Sequence, residues 1–454
     1  MKLRCLIILL FQALLWSGCA PQPATPNIIT SLTLEPTVTS GQEPTVTPPI
    51  LATPTATTAP TPVLSPAPIT QACVTIGQNA PEKTSGMLAL ENFVWEGAVN
   101  ANYTVTAFLL DLEQQKIMSV GVPGRLTQIL DVSPDRRFLL YEYDTGGPDE
   151  YRLAVTDSQG RVVMDFDDRV LPESWWDYSN WHNTNLLRVV IIDLGKRRTL
   201  PRLYNVTTGE YTPLETNWSA VYKGDDLDWG LDSLAVDVSS ADGANLVYDP
   251  AVTRVVYPRK GQVVSLADTL TRQEIANIRL PGWGRLPRWS NDGEHLALIA
   301  STDPKAAPGH DEFYIVSRDG PEFKRLTYLT EQFDKVHISE YAWSPDGKRI
   351  AFWLNTTADD PMLEGTQSEL AVLDIESGEI TRLCIEGISA PMRHEIQMTH
   401  TQPVWSPDGS QIAFAQLDSS RANTYNVLVV DLETQTAFKV AANKEPIGWM
   451  LKEP

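Results

Sequence analysis

The sequence predicts an all-β fold, a β-propeller of four-stranded blades, with seven blades favoured over six, following a Pro/Thr-rich stalk. Three observations predict it. A turn-and-strand unit recurs as "PRWSNDGEHLALIA" (287–300), "YAWSPDGKRIAFWL" (341–354) and "PVWSPDGSQIAFAQL" (403–417). A second unit follows each copy: an apolar strand, an acidic or polar residue, a turn and another strand. No helical period separates the units.

In the first unit, Ser344-Pro345-Asp346-Gly347 reads as a tight turn. Ser bonds back to the backbone, Pro presets φ, and Gly accepts a positive φ. Trp343 ends the strand before the turn, and Ile350-Ala351-Phe352 forms a short buried strand after it. Trp289, Asp292 and Gly293 repeat the pattern, as do Trp405, Pro407, Asp408 and Gly409. Degraded copies stand at "VSPDRRFLLY" (132–141), "YDPAVTRVVY" (248–257) and, weakest, "WHNTNLLRVVII" from Trp181. The second unit reads "AFLLDLEQQKIMSV" (107–120), "RLAVTDSQGRVV" (152–163), "RLYNVTTGEYTPL" (202–214) and "VVSLADTLTRQEI" (263–275). It continues as "FYIVSRDGPEFKRLT" (313–327), "LAVLDIESGEITRL" (370–383) and "VLVVDLETQTAFKV" (427–440). A hairpin of this size cannot bury its own apolar face, so the units must stack. Seven blades over residues 71–454 allow roughly 55 residues each, against about 40–45 for a minimal blade. Long connections such as 216–232 and 355–368 absorb the surplus.

The Trp-Ser-Pro-Asp-Gly-Lys turn, the Ile-Ala-Phe strand and the strand ending in Val-x-Asp resemble the WD40-like repeat of TolB-type propellers, which also occurs in prolyl oligopeptidases. The resemblance is clear over 289–440 and weak over 107–275. It implies a fold and says little about activity. No Gly-x-Ser-x-Gly elbow occurs, so the hydrolase chemistry of the oligopeptidases is not expected. The first unit lacks a Ser-Pro-Asp turn of its own. The chain ends instead with "EPIGWMLKEP", whose Pro446–Trp449 resembles the missing strand and predicts closure of the ring by the C-terminus.

The other end of the chain carries an address. Lys2 and Arg4 precede an apolar run, Leu6–Trp16, which is short for a membrane span. Ser17-Gly18-Cys19 then resembles a bacterial lipobox, with Trp16 where that motif usually has Leu. The resemblance implies a signal peptide over 1–18 and a lipidated N-terminus at Cys19. Residues 20–70 hold 12 Pro and 13 Thr without an aromatic or basic residue. Such a segment favours an extended linker, so 19–70 is read as the stalk and 71–454 as the propeller. The expected location is extracytoplasmic, with the membrane reached only through the lipid. Of the four cysteines, Cys73 and Cys384 remain for the folded part. They form either a disulfide outside the cytoplasm or two buried thiols.

The net charge of −21 falls wholly on residues 71–454, because Lys2 and Arg4 balance Glu35 and Glu43. Such a field repels nucleic acid and anionic headgroups. No His/Cys cluster suggests zinc. "DDLDWGLD" (225–232) sets Asp226, Asp228 and Asp232 at even spacing, a weak pattern for calcium and more simply an acidic loop. His310-Asp311-Glu312 and His394-Glu395 are placed in loops, where they would be metal ligands, an acid/base pair or solvated charges. "ESWWDYSNWHN" (173–183) offers Trp175, Trp176 and Tyr178 for stacking on a sugar or peptide, or else for the core. The reading is a monomeric, surface-anchored binding scaffold for a protein or cell-envelope glycan, without cofactor or catalysis. Its rivals are a glycan lyase or hydrolase using loop carboxylates and an accessory subunit of a TolB-like envelope complex.

Overall fold

The computed structural model describes residues 67–77, 84–96, 102–146, 151–166, 170–172, 181–193, 198–213, 247–259, 262–271, 273–282, 284–303, 309–320, 322–356, 368–385, 388–389, 402–418 and 425–452. Their regular structure is all strand apart from one short 3-10 turn, Leu329–Glu331. No helix among them is long and apolar enough to cross a membrane.

Among the described residues the strands after Gly77 form seven antiparallel units. Numbered in chain order, blade 2 comprises β5 (Arg125–Val132), β6 (Phe138–Asp144), β7 (Tyr151–Asp157) and β8 (Val162–Asp165). Blade 3 comprises β9 (Val170–Pro172), β10 (Leu187–Asp193), β11 (Arg198–Tyr204) and β12 (Tyr211–Pro213). Blade 4 comprises β13 (Val247–Tyr248), β14 (Arg254–Arg259), β15 (Val263–Asp268) and β16 (Glu274–Arg279). Blade 5 comprises β17 (Gly284–Trp289), β18 (His295–Ser301), β19 (Asp311–Ser317) and β20 (Phe323–Arg325). Blade 6 comprises β21 (His337–Trp343), β22 (Arg349–Asn355), β23 (Glu369–Asp374) and β24 (Ile380–Ile385). In blade 7, β25 (Ile388–Ser389) and β26 (Val404–Trp405) both pair with β27 (Gln411–Asp418), which leads to β28 (Tyr425–Asp431) and β29 (Thr436–Ala442).

Blade 1 joins both ends of the propeller. Its order is β30 (Glu445–Met450), β2 (Met87–Glu96), β3 (Asn102–Asp111) and β4 (Lys116–Ser119). Leu88 stands opposite Trp449 and Leu90 opposite Pro446, so the C-terminal strand closes the ring as the sequence predicts. Gly448 permits the closure. A Cβ there would lie 2.2 Å from Val132 Cγ2 of blade 2, so only a bare backbone fits the seam.

Strands of this kind cannot bury both faces within one blade, and the core accordingly lies between blades. Met87, Ala89 and Met450 of blade 1 pack with Leu126, Ile129 and Tyr141 of blade 2. Phe313 of blade 5 packs edge-on against Tyr341 and Phe352 of blade 6. Comparable clusters join blades 2 and 3, 4 and 5, 6 and 7, and 7 and 1. Between blades 3 and 4 the described core is smaller, centred on Val255, Tyr257 and Ala267 of blade 4.

One strand lies outside this scheme. β1 (Ile69–Gly77) runs parallel to β24, the outer strand of blade 6, and then parallel to β29, the outer strand of blade 7. It therefore covers two edges at once, and it starts two residues before the expected boundary at 71. The Pro-rich stretch stops at Pro68, and the β-branched Ile69 and Thr70 already have partners in Ile380 and Thr381.

Candidate binding site

The repeated turn builds the rim of the site. In each full copy the Ser hydroxyl donates to the turn Asp: Ser290 to Asp292 (2.5 Å), Ser344 to Asp346 (2.6 Å) and Ser406 to Asp408 (2.6 Å). The same Ser oxygen accepts the N–H five residues on, from His295 (3.0 Å), Arg349 (2.9 Å) and Gln411 (2.9 Å). Gly293, Gly347 and Gly409 then sit at φ +73, +68 and +71. The degraded copies hold the same shape with other residues. Arg136, Asn185 and Val252 take the Gly position at φ +60, +62 and +54. Asp249 replaces Ser and accepts the N–H groups of Thr253 and Arg254 through Oδ1.

The Trp before the turn fastens neighbouring blades. Trp289 Nε1 donates to the Val247 carbonyl of blade 4 (3.1 Å). Trp343 Nε1 donates to Arg288 of blade 5 (3.0 Å), and Trp405 Nε1 to Ala342 of blade 6 (3.1 Å). Each indole thus buries its ring and satisfies its only polar group on the adjacent inner strand. Trp449 keeps the ring position but donates to Ser85 (3.0 Å), beside the second strand of its own blade.

These inner strands and turns enclose a cavity of about 730 Å³ to which all seven blades contribute. Its walls include Trp181, Trp289, Trp343, Trp405 and Trp449. The second turn residues Pro134, Asn183, Pro250, Asn291, Pro345 and Pro407 also line it. Hydrogen bonds between successive turns bind the rim: Leu451 N–H to Arg136 (2.8 Å), Asp135 N–H to Asn185 Oδ1 (2.8 Å) and Asn183 N–H to Pro250 (2.9 Å). Arg349 Nη2 continues them to Gly409 (2.6 Å).

Three guanidiniums enter the cavity wall of this strongly acidic chain: Arg136, Arg188 and Arg288. Arg288 is buried, pairs with Glu340 (2.9 Å) and donates to the Tyr341 carbonyl. Arg188 lies over the Tyr248 ring at 5.9 Å. Arg136 Nη1 reaches from blade 2 to the carbonyls of Trp405 (3.0 Å) in blade 7 and Trp449 (3.3 Å) in blade 1. Burial pulls its pKa down to about 10, with Asp408 opposing, so it stays charged at neutral pH. The sequence marks this residue only by placing Arg where the repeat has Gly.

The residues singled out for chemistry are distributed differently. Asp311 and Glu312 belong to β19 and are buried, which corrects their expected place in a loop. Burial works against the Asp311 charge, but the Arg285 guanidinium, the His337 ring and the Ile338 N–H hold its pKa down at about 2. Glu312 accepts from Arg325, Thr327, Thr330 and the Leu329 N–H, so both acids act as anchors in blade 5 and at its seam with blade 6. Cys73 and Cys384 stand directly opposite in the β1–β24 register. Cys19, Trp175, Trp176, Tyr178, Asp226, Asp228, Asp232, His394 and Glu395 lie outside the described residues. Pro172 and Trp181, which flank the aromatic stretch, both pair with β10 on the inner side of blade 3. Among the described residues no group of three or more His, Cys, Asp or Glu side chains is arranged to hold a metal ion.

No family model matches the chain. It is 26% identical over 157 residues to the uncharacterized peptidase YuxL of Bacillus subtilis, covering 28% of this chain and 21% of that one. It is 21% identical over 236 residues to a protein named as a dipeptidyl aminopeptidase in Schizosaccharomyces pombe, covering 50% and 26%. The matches thus span only 21% and 26% of the length of these curated relatives. Among solved structures it is similar to TolB from Acinetobacter baumannii, at 13% identity and a TM-score of 0.37, covering 85% of this chain and 98% of that one. It is also similar to an oligogalacturonate lyase in complex with manganese, at 12% identity and a TM-score of 0.43, covering 79% and 85%. The propeller assignment rests on the strand pairing of this chain itself.

Proposed function

We propose that the protein is an extracytoplasmic, lipid-anchored binding module that holds a protein or glycan of the cell envelope at the mouth of its channel and does not transform it. The observation that carries this reading is the axial cavity. At about 730 Å³ it has the size of a ligand site, and it is lined by indoles and turn prolines together with three arginines and the carboxylates Asp131 and Asp135. Its frame is stiff, because the Trp and turn residues of the wall are bonded from blade to blade. A preorganised surface of that kind loses little freedom when a partner docks. The Asp311–His337 pair, which would suit proton transfer, is locked by Arg285 instead. Trp175, Trp176 and Tyr178 belong to this proposal as contributors, since the chain enters and leaves their segment on the inner side of blade 3.

The test places a photo-crosslinking residue at Asn183, which lines the cavity, and another at Ile117, exposed on β4. Adducts from envelope extracts are expected at Asn183 and not at Ile117; the reverse pattern sinks the channel-mouth reading. Protease or glycosidase treatment of the adduct distinguishes protein from glycan. Saturable turnover of an envelope glycan, abolished by changing one Asp, Glu or His, would instead make the protein an enzyme. Anchoring is tested separately: Cys19→Ala should abolish metabolic fatty-acid labelling, and labelling that persists rejects the lipid at that residue.

A further inference from the structure

β1 is joined to the ring by pairing across more than three hundred residues of chain, and its register sets two thiols side by side. Ala72 is opposite Leu383, and Cys73 is opposite Cys384. Ala72 and Val74 turn inward and pack in the cluster of Trp353, Leu370 and Leu383. Cys73 lies on the opposite side of β1, where it is exposed, while Cys384 is half-buried. Strands paired in a sheet run about 4.7–4.9 Å apart, within the Cα separation of about 4.4–6.8 Å that disulfides span. Side chains in this register do meet: three residues earlier, the Thr70 and Thr381 hydroxyl oxygens are 3.3 Å apart.

We propose that Cys73 and Cys384 form a disulfide that locks β1 to blade 6, making this strand a covalently secured clasp over the outer edges of blades 6 and 7. The bond forms by thiol–disulfide exchange with a small-molecule or protein disulfide. One thiolate attacks the oxidant and expels a thiolate, and the second cysteine then displaces the remaining half. The two cysteine thiols lose two protons and two electrons, and the oxidant leaves as two thiols. The need for a lock follows from position. Ile69 is the first paired residue after the Pro-rich stretch, so fraying or any pull from the N-terminal side reaches β1 first. Release of β1 would expose the edge of β24 and the edge of β29 together.

The test uses the full chain, folded in the presence of glutathione disulfide. It is denatured without reductant, alkylated, digested and analysed by mass spectrometry. A linked pair of peptides carrying Cys73 and Cys384 is expected, with neither residue alkylated. In Cys73→Ser, Cys384 should be found alkylated or as its glutathione mixed disulfide and in no linked pair with residue 73, and Cys73 likewise in Cys384→Ser. Reduction should lower the melting temperature of the parent protein by about 5–10 °C, given the length of the closed loop. The Cys73→Ser/Cys384→Ser protein should melt at the reduced value and ignore reductant. Alkylation of both residues in the oxidised parent overturns the bond, and a linked pair whose reduction leaves melting unchanged overturns the clasp.

Discussion

Replacing Trp449 with Ala tests whether closure by the C-terminal strand holds the ring together. The side chain is 1% exposed and sits in the seam between blades 7 and 1, packed among Leu88, Leu90, Val404 and Phe438. Removing a fully buried indole costs about 3–5 kcal/mol in lost transfer energy and cavity formation. The lost bond to Ser85 adds about 1 kcal/mol, for a total near 4–6 kcal/mol. That is a large share of the roughly 5–15 kcal/mol by which native domains are stable. For a propeller of this length it corresponds to a fall in melting temperature of roughly 5–8 °C. Chemical denaturation and calorimetry should agree on it. Trp449→Phe keeps part of the packing but loses both the N–H donor and some buried ring volume, so it should lose about 2–3 kcal/mol, less than the Ala variant. Deleting residues 445–454 should be worse than either, with aggregation through the uncovered edge of β2. A Trp449→Ala protein within about 1 kcal/mol of the parent would refute the argument, because the seam would then carry no load.

Two further outcomes follow from the turn and the buried acid. Arg136→Gly restores the glycine that the repeat has at this position and relieves about 1 kcal/mol of left-handed backbone strain. It also removes charged hydrogen bonds to the Trp405 and Trp449 carbonyls, worth about 1.5–3 kcal/mol each. A net loss is expected on denaturation, and a stabilised variant would show that the bonds across the channel contribute little. Asp311 has a folded pKa lowered from 3.8 to about 2, so its contribution is fully present above the unfolded value and is lost as pH falls toward 2. Asp311→Asn should be less stable at neutral pH by about 2 kcal/mol and show a flatter acid limb between about pH 4 and 2; an unchanged limb would contradict the assignment.

The turns were legible because their chemistry is local. Ser344, Asp346 and Gly347 close their hydrogen bonds within six residues, so composition and order suffice to specify the geometry. Even the degraded copies at Arg136, Asn185 and Val252 keep φ positive, because the hydrogen bond back to the first turn residue and the following strand impose it. The Trp was legible as a marker of the strand end, but not as a latch. That its N–H reaches the next inner strand depends on how far one blade is rotated against another, and no single unit encodes that rotation.

The repeating hairpins, the favoured count of seven blades and the need for the C-terminal strand in blade 1 are readable along the chain. Each follows from short-range periodicity and from apolar faces too large for one blade to bury. That Arg136 spans three blades and that Asp311 and Glu312 are strand anchors is settled by the closed ring. It alone set β1 along two outer edges with Cys73 opposite Cys384. Those relations join residues distant in the chain, and their energies depend on the distances and desolvation that the closed ring creates.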